Sequence, residues 1–141
     1  MATIDMQMMR YINLLDKISH VKTMKCYTYN NTIIFAVPES FVGRAVGPAG
    51  INLRRISEQL GKKIKIIPES SGNPENINDV KRFVYGIVAP IQFNEIEFKD
   101  RMIVINAGMQ SKAALIGRNR RREQELQLII KDTYGVEMKI N

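Results

Sequence analysis

The chain has 141 residues, 45 % hydrophobic and 25 % charged, which fits one globular domain or two small ones and excludes a disordered or low-complexity chain. Lys and Arg number 21 against 14 Asp and Glu, a net charge of +7, and that excess favours a polyanionic partner over simple solubility: nucleic acid first, an acidic membrane surface second.

The first predicted element is an amphipathic helix with Ile4, Met8, Tyr11, Ile12, Leu15 and Ile18 along one stripe and Thr3 as its N-cap. Its methionines read as packing residues rather than ligands. A strand follows at about 24–29, then Asn30-Asn31, then a β-branched strand at 32–37. Asn tolerates positive φ, so the pair suits a hairpin turn. Pro38 stops the second strand, and a short helix over about 39–46 leads into Gly47-Pro48-Ala49-Gly50. The next helix, 50–60, places Leu53, Ile56 and Leu60 on one face, and Gly61 ends it before the strand "KKIKII". The first unit is therefore α-β-β-α-loop-α-β.

A polar stretch, "PESSGNPEN" at 68–76, joins this unit to a second and is too short to act as a flexible string. A helix over 77–89 ending at Pro90 follows, then strands near 92–98 and 101–106, a short helix at 109–116, the loop "GRNR", a helix at 120–134 and a strand at 136–140. Sliding the chain against itself exposes a repeat. At an offset of 70, Gly47 falls on Gly117, "IIFAV" on "IVINA" and "KCYTY" on "EIEFK". Identity is low, but the order of elements agrees, which predicts two domains, 1–70 and 71–141.

The Gly47–Gly50 loop carries the functional signal. Without Cβ atoms, a sugar-phosphate backbone approaches Gly47 and Gly50 closely, and a helix opening near Gly50 turns its N–H groups and positive dipole end toward phosphate. Arg44, Arg54, Arg55, Lys62, Lys63 and Lys65 surround the loop, against Glu58 alone between 40 and 66. Ile51, Ile64 and Ile66 are candidates for the wall of an apolar groove, or for the core. Such a groove suits unstacked bases of a single strand and not a duplex.

At these residues the chain resembles a known family. "VGPAGINLRRISEQLGKKIKII" is similar to the helix–GXXG–helix–strand signature of KH domains in the type II variant, whose extra helix and strand precede the core. A pair of such units in a chain of this length resembles the archaeal NusA-like proteins. The resemblance implies an α/β fold of two tandem type II KH-like domains, each a three-stranded mixed sheet with helices packed on one face. It also implies single-stranded RNA binding in transcription elongation and termination, with Gly47, Pro48, Ala49 and Gly50 contacting the RNA backbone. The second copy departs from the motif: Gly117, Arg118, Asn119 and Arg120 put arginine where the second glycine belongs. Either Arg118, Arg120, Arg121 and Arg122 clamp phosphates, or the second groove is closed and the unit is scaffold.

Other readings carry less. The loop lacks the Lys-Ser/Thr of a Walker A motif, and no G-x-G-x-x-G follows a strand. His20 and Cys26, the only histidine and cysteine, support neither a zinc cluster nor a Cys/His catalytic pair; they read as a surface histidine and a small buried thiol. Glu95, Glu97 and Asp100 read as a solvent-facing strand edge. We therefore expect no catalysis, cofactor or metal. The lone cysteine, the absence of a signal peptide and the lack of a membrane-length apolar run predict a cytoplasmic protein, and the internal repeat, which already supplies two copies of the unit, predicts a monomer. The second reading is an interaction module, with Met6, Met8, Met9 and Tyr11 docking on RNA polymerase or another transcription factor. A third is a KH-type ribosome assembly factor.

Overall fold

A computed structural model describes residues 5–141. The chain forms two compact units that part after Glu69.

In the first unit, helix α1 (Met6–Ser19) is capped by Asp5, whose carboxylate accepts a hydrogen bond from the Met8 N–H at 2.8 Å. The expected Thr3 cap and Ile4 lie outside the described residues. Tyr11, Ile12 and Leu15 turn inward, and His20, in the left-handed region at φ 60°, ends the helix. Strands β1 (Lys25–Tyr29) and β2 (Thr32–Val37) pair antiparallel through Asn30 and Asn31, at φ 53° and 59°. Two consecutive positive φ values match the right-handed twist of a two-residue hairpin. β2 then pairs in parallel with β3 (Lys63–Pro68). A parallel neighbour needs a crossover, supplied here by a short 3-10 turn (Glu39–Phe41), helix α2 (Val42–Val46), the glycine loop and helix α3 (Ile51–Leu60).

One face of this mixed sheet holds Ile33, Phe35 and Val37, which pack with Tyr11, Ile12, Leu15, Ala45, Ile56 and Ile64. Full burial of a Leu, Ile or Phe side chain contributes about 1.5–3 kcal/mol each, so this cluster fixes both helices that flank the loop. Leu53, Leu60 and Ile66 pack at its margin.

The second unit repeats the plan with α4 (Ile77–Val88), β4 (Glu95–Lys99), β5 (Met102–Asn106), α5 (Met109–Ile116), α6 (Arg121–Tyr134) and β6 (Glu137–Ile140). β4 and β5 are antiparallel, and β5 and β6 parallel. Asp100 and Arg101, at φ 52° and 57°, take the places of Asn30 and Asn31. The offset of 70 holds through the loop; α6 then runs 14 residues against 10 in α3, and Gly135 stops it as Gly61 stops α3. One expectation is corrected here. β4 begins at Glu95, not near 92, because the chain first closes a turn after α4, with the Ile91 N–H bonded to the Val88 carbonyl.

The segment entering α4 is pinned by polar contacts. Ser70 Oγ bonds to the Asp79 carboxylate and lies 2.7 Å from Tyr134 Oη, while Asn76 caps α4 by accepting from the Asp79 N–H. Burial pushes the Tyr134 hydroxyl up to about 12, with the Asp79 charge adding to the rise while the Ser70 hydrogen bond and the Arg82 charge oppose it.

Candidate nucleic-acid interface

Both loops have the same backbone. Gly47 sits at φ 80°, ψ 166° and Gly117 at φ 74°, ψ 174°. Ala49 and Asn119 follow at φ 53° and 57°, then Gly50 and Arg120 at φ 73° and 59°. The substitution at position 120 has therefore not changed the loop. Arg120 occupies the left-handed conformation that glycine occupies in the first copy.

The two glycines of the first loop serve different ends. A Cβ on Gly47 would lie 2.9 Å from Asn52 Cγ and Nδ2, and 3.1 Å from the Asn52 backbone nitrogen. Asn52 Nδ2 donates to the Arg44 carbonyl at 3.1 Å, tying the start of α3 to the end of α2 across the loop. In the second copy Arg122 fills the same role: its guanidinium donates to the Ala114 carbonyl at 2.9 Å, and its Cγ lies 2.8 Å from where a Gly117 Cβ would be. So the fold itself requires a glycine at the first position of each motif. Gly50 is different: nothing lies within 4 Å of its Cβ position. Its approach side is open.

Pro48 and Ala49, the two residues before Gly50, are exposed. The helix start offers fewer donors than expected, because the Gly50 N–H bonds to the Gly47 carbonyl and the Ile51 N–H to the Pro48 carbonyl. Charge around the loop comes from side chains. Arg54 Nη2 donates to the Ala49 carbonyl at 3.3 Å, which seats its guanidinium on the loop. Arg44 leaves the last turn of α2 with its guanidinium carbon 5.9 Å from the Phe41 ring centroid, and Arg55 is exposed on α3. Ile51, 40 % exposed, presents an aliphatic surface at the helix start.

Not every expected residue gathers here. Lys62 and Lys63 are exposed, but they follow the C-terminal end of α3, about 15 Å along the axis from its first residue. Lys65 is half-buried on β3, and desolvation lowers its pKa. Ile64 belongs to the core and is no groove wall; Ile66 packs at the core margin. Tyr11 is also buried, with its hydroxyl accepting from Gln7, so it offers no docking surface. His20 is exposed and Cys26 buried, with burial and the Asp5 charge pushing the thiol up to about 12.

In the second loop, Arg118, Asn119, Arg120 and Arg121 are exposed. Arg120 Nε pairs with Glu123 at 2.8 Å, which folds its side chain back toward α6. That glutamate, in the first helical turn, also offsets the unfavourable placement of arginines at the positive end of the helix dipole. Arg118 and Arg121 have no ion-pair partner among the described residues. Asn52 and Arg122 were not singled out from the sequence as loop-closing residues. Their shared offset of 70 was the available signal, since two polar side chains recur at the second place after each loop.

A KH-domain family model matches residues 32–86, from β2 through the open loop, α3 and β3 into α4. Two relatives of this chain are each named "Probable transcription termination protein NusA". That of Methanocaldococcus jannaschii is 28 % identical over 134 residues, covering 92 % of this chain and 69 % of the relative. That of Methanococcus vannielii is 27 % identical over 110 residues, covering 75 % of this chain and 60 % of the relative. The crystal structure of APE1850 superposes with a TM-score of 0.66 at 28 % identity, covering 98 % of this chain and 100 % of that one.

Residues 32–86 thus match the KH-domain family, and the chain as a whole is similar to the two archaeal NusA relatives. The chain is an α/β protein of two tandem KH-like units with matching mixed sheets. Among its described residues no helix is long and apolar enough to cross a membrane.

Proposed function

We propose that this chain is a single-stranded RNA-binding factor of transcription elongation and termination, and that it performs no chemistry of its own. The observation that carries this reading is the open approach to Gly50 in a loop whose conformation the fold enforces. An RNA backbone passes over Gly50 without meeting a side chain, flanked by Pro48 and Ala49. Arg44, Arg54 and Arg55 neutralise phosphates, and Ile51 offers an aliphatic platform to an unstacked base. The KH match over residues 32–86 and the names of the two relatives support the same reading. In the first domain (1–70) the loop takes the backbone itself. In the second (71–141) Arg120 stands where the first loop has its open glycine, and Arg118 and Arg121 reach phosphates from further off, with Gly117 and Asn119 shaping the turn.

The test is a titration with short single-stranded RNA across a salt series. Neutralising three phosphates gives a log–log slope of roughly −2, from about −0.7 per phosphate on a single strand. Binding that is indifferent to salt, or stronger for duplex RNA, contradicts the reading. Docking on RNA polymerase through α1 is the second reading. It rests on Met6 and Met9, 79 % and 36 % exposed, and would respond little to salt.

A further inference from the structure

A cavity of about 400 Å³ lies in the second unit between the outer face of α4 and the segment preceding β4. Asn78, Lys81, Arg82 and Tyr85 fall at i, i+3, i+4 and i+7 on that helix and form one wall, while Val80, Phe83, Val84 and Ile87 face the core. Gln92, Phe93 and Asn94 form the other wall. That wall is fixed at both ends, by the Ile91 N–H on the Val88 carbonyl and the Asn94 N–H on the Asn106 carbonyl, at 3.0 and 2.7 Å.

The chemistry of the lining is selective. Tyr85 is 50 % exposed, whereas Tyr11, Tyr27, Tyr29 and Tyr134 are all buried. Two cations line the space and no carboxylate does. Arg82 pairs with Asp79 one helical turn before it at 3.4 Å, and both Arg82 and Lys81 line the space on the same helix as Tyr85. Three carboxamides, each donor and acceptor, complete the lining. An exposed aromatic face, flanking cations and amides able to pair base edges are what a nucleotide of a single strand needs.

We propose that this pocket is a second RNA subsite, outside the glycine loops, that stacks one base on Tyr85 and places its phosphate against Lys81 and Arg82. The inference rests on the RNA-binding reading of the chain. The test compares the full chain with Tyr85→Ala, Tyr85→Phe and the loop variant Pro48→Asp/Ala49→Asp, each checked for folding by circular dichroism. The probes are a single-stranded RNA decamer, 5′-AMP and an acidic decapeptide. Tyr85→Ala is expected to weaken decamer binding about tenfold, the loss of one base–aromatic stack, while Tyr85→Phe retains wild-type affinity. Equal affinity of wild type and Tyr85→Ala, with binding lost in the loop variant, overturns the subsite and leaves the loop reading intact. No binding of the decamer by wild type overturns both. Binding of the acidic peptide or of 5′-AMP that depends on Tyr85, when decamer binding does not, assigns the pocket to another ligand and overturns the proposal.

Discussion

Replacing Gly47 and Gly50 by alanine, one at a time, should produce opposite patterns of damage. At Gly47, φ 80° with ψ 166° is a region that only glycine occupies without strain, and holding another residue there costs about 1–3 kcal/mol. The new Cβ also sits 2.9 Å from the Asn52 amide. Displacing that amide forfeits its bond to the Arg44 carbonyl, about 1 kcal/mol more. Gly47→Ala should therefore lose about 2–4 kcal/mol of stability, a large share of the total for a small domain. At Gly50 the Cβ meets nothing, and the left-handed backbone costs alanine about 1 kcal/mol. Urea denaturation followed by circular dichroism measures both, and RNA titration of the folded proteins gives the functional half. Gly50→Ala should bind more weakly than its small stability loss explains. In an Asn52→Ala background the Gly47→Ala penalty should shrink, because part of the clash has gone. Equal stability losses at the two glycines would refute the division of roles.

Arg120→Gly should change stability by less than about 1 kcal/mol, since relief of the left-handed arginine roughly offsets loss of the Glu123 pair, and should strengthen RNA binding several-fold; unchanged affinity would mean that Arg120 does not obstruct the second loop. The fold favours neutral Tyr134, whose pKa rises from 10.0 to about 12, so its contribution is complete below pH 10 and declines as pH rises toward 12. Tyr134→Phe should flatten stability against pH in that window, and an unchanged slope would count against the burial argument. The Cys26 thiol should resist Ellman's reagent at pH 8 and react only as the first unit opens, so labelling within seconds in native buffer would contradict its burial.

Local signals in the chain were strong where backbone geometry demands a residue type. Asn30-Asn31 marked the first hairpin, Gly61 and Gly135 marked helix ends, and the boundaries of β2 and α5 follow from β-branched and apolar runs bounded by Pro38 and Gly117. The repeat was legible because paired elements keep an offset of 70 as far as the loops, and it blurs beyond them because α6 carries an extra turn. What was not legible depends on contacts between elements. "IQFNEIEF" alternates like a strand throughout, but only β5 determines that pairing starts at Glu95. The roles of Gly47, Asn52 and Arg122 arise from a hydrogen bond across a turn, which composition does not encode. Ile51 and Ile64 are the same residue type in the same basic stretch, yet one is exposed and the other lies in the core. The difference is set by helix face and strand face once both are packed.

The central claim is that the first glycine loop receives the RNA backbone, and the most direct measurement is RNA affinity of Pro48→Asp/Ala49→Asp against wild type at low salt. Both positions are exposed, so two carboxylates enter the loop while both glycines and the core stay intact. The account predicts that the variant folds as wild type does and loses RNA binding. A folded variant that binds with wild-type affinity would contradict it and move the interface to the arginines of the second unit.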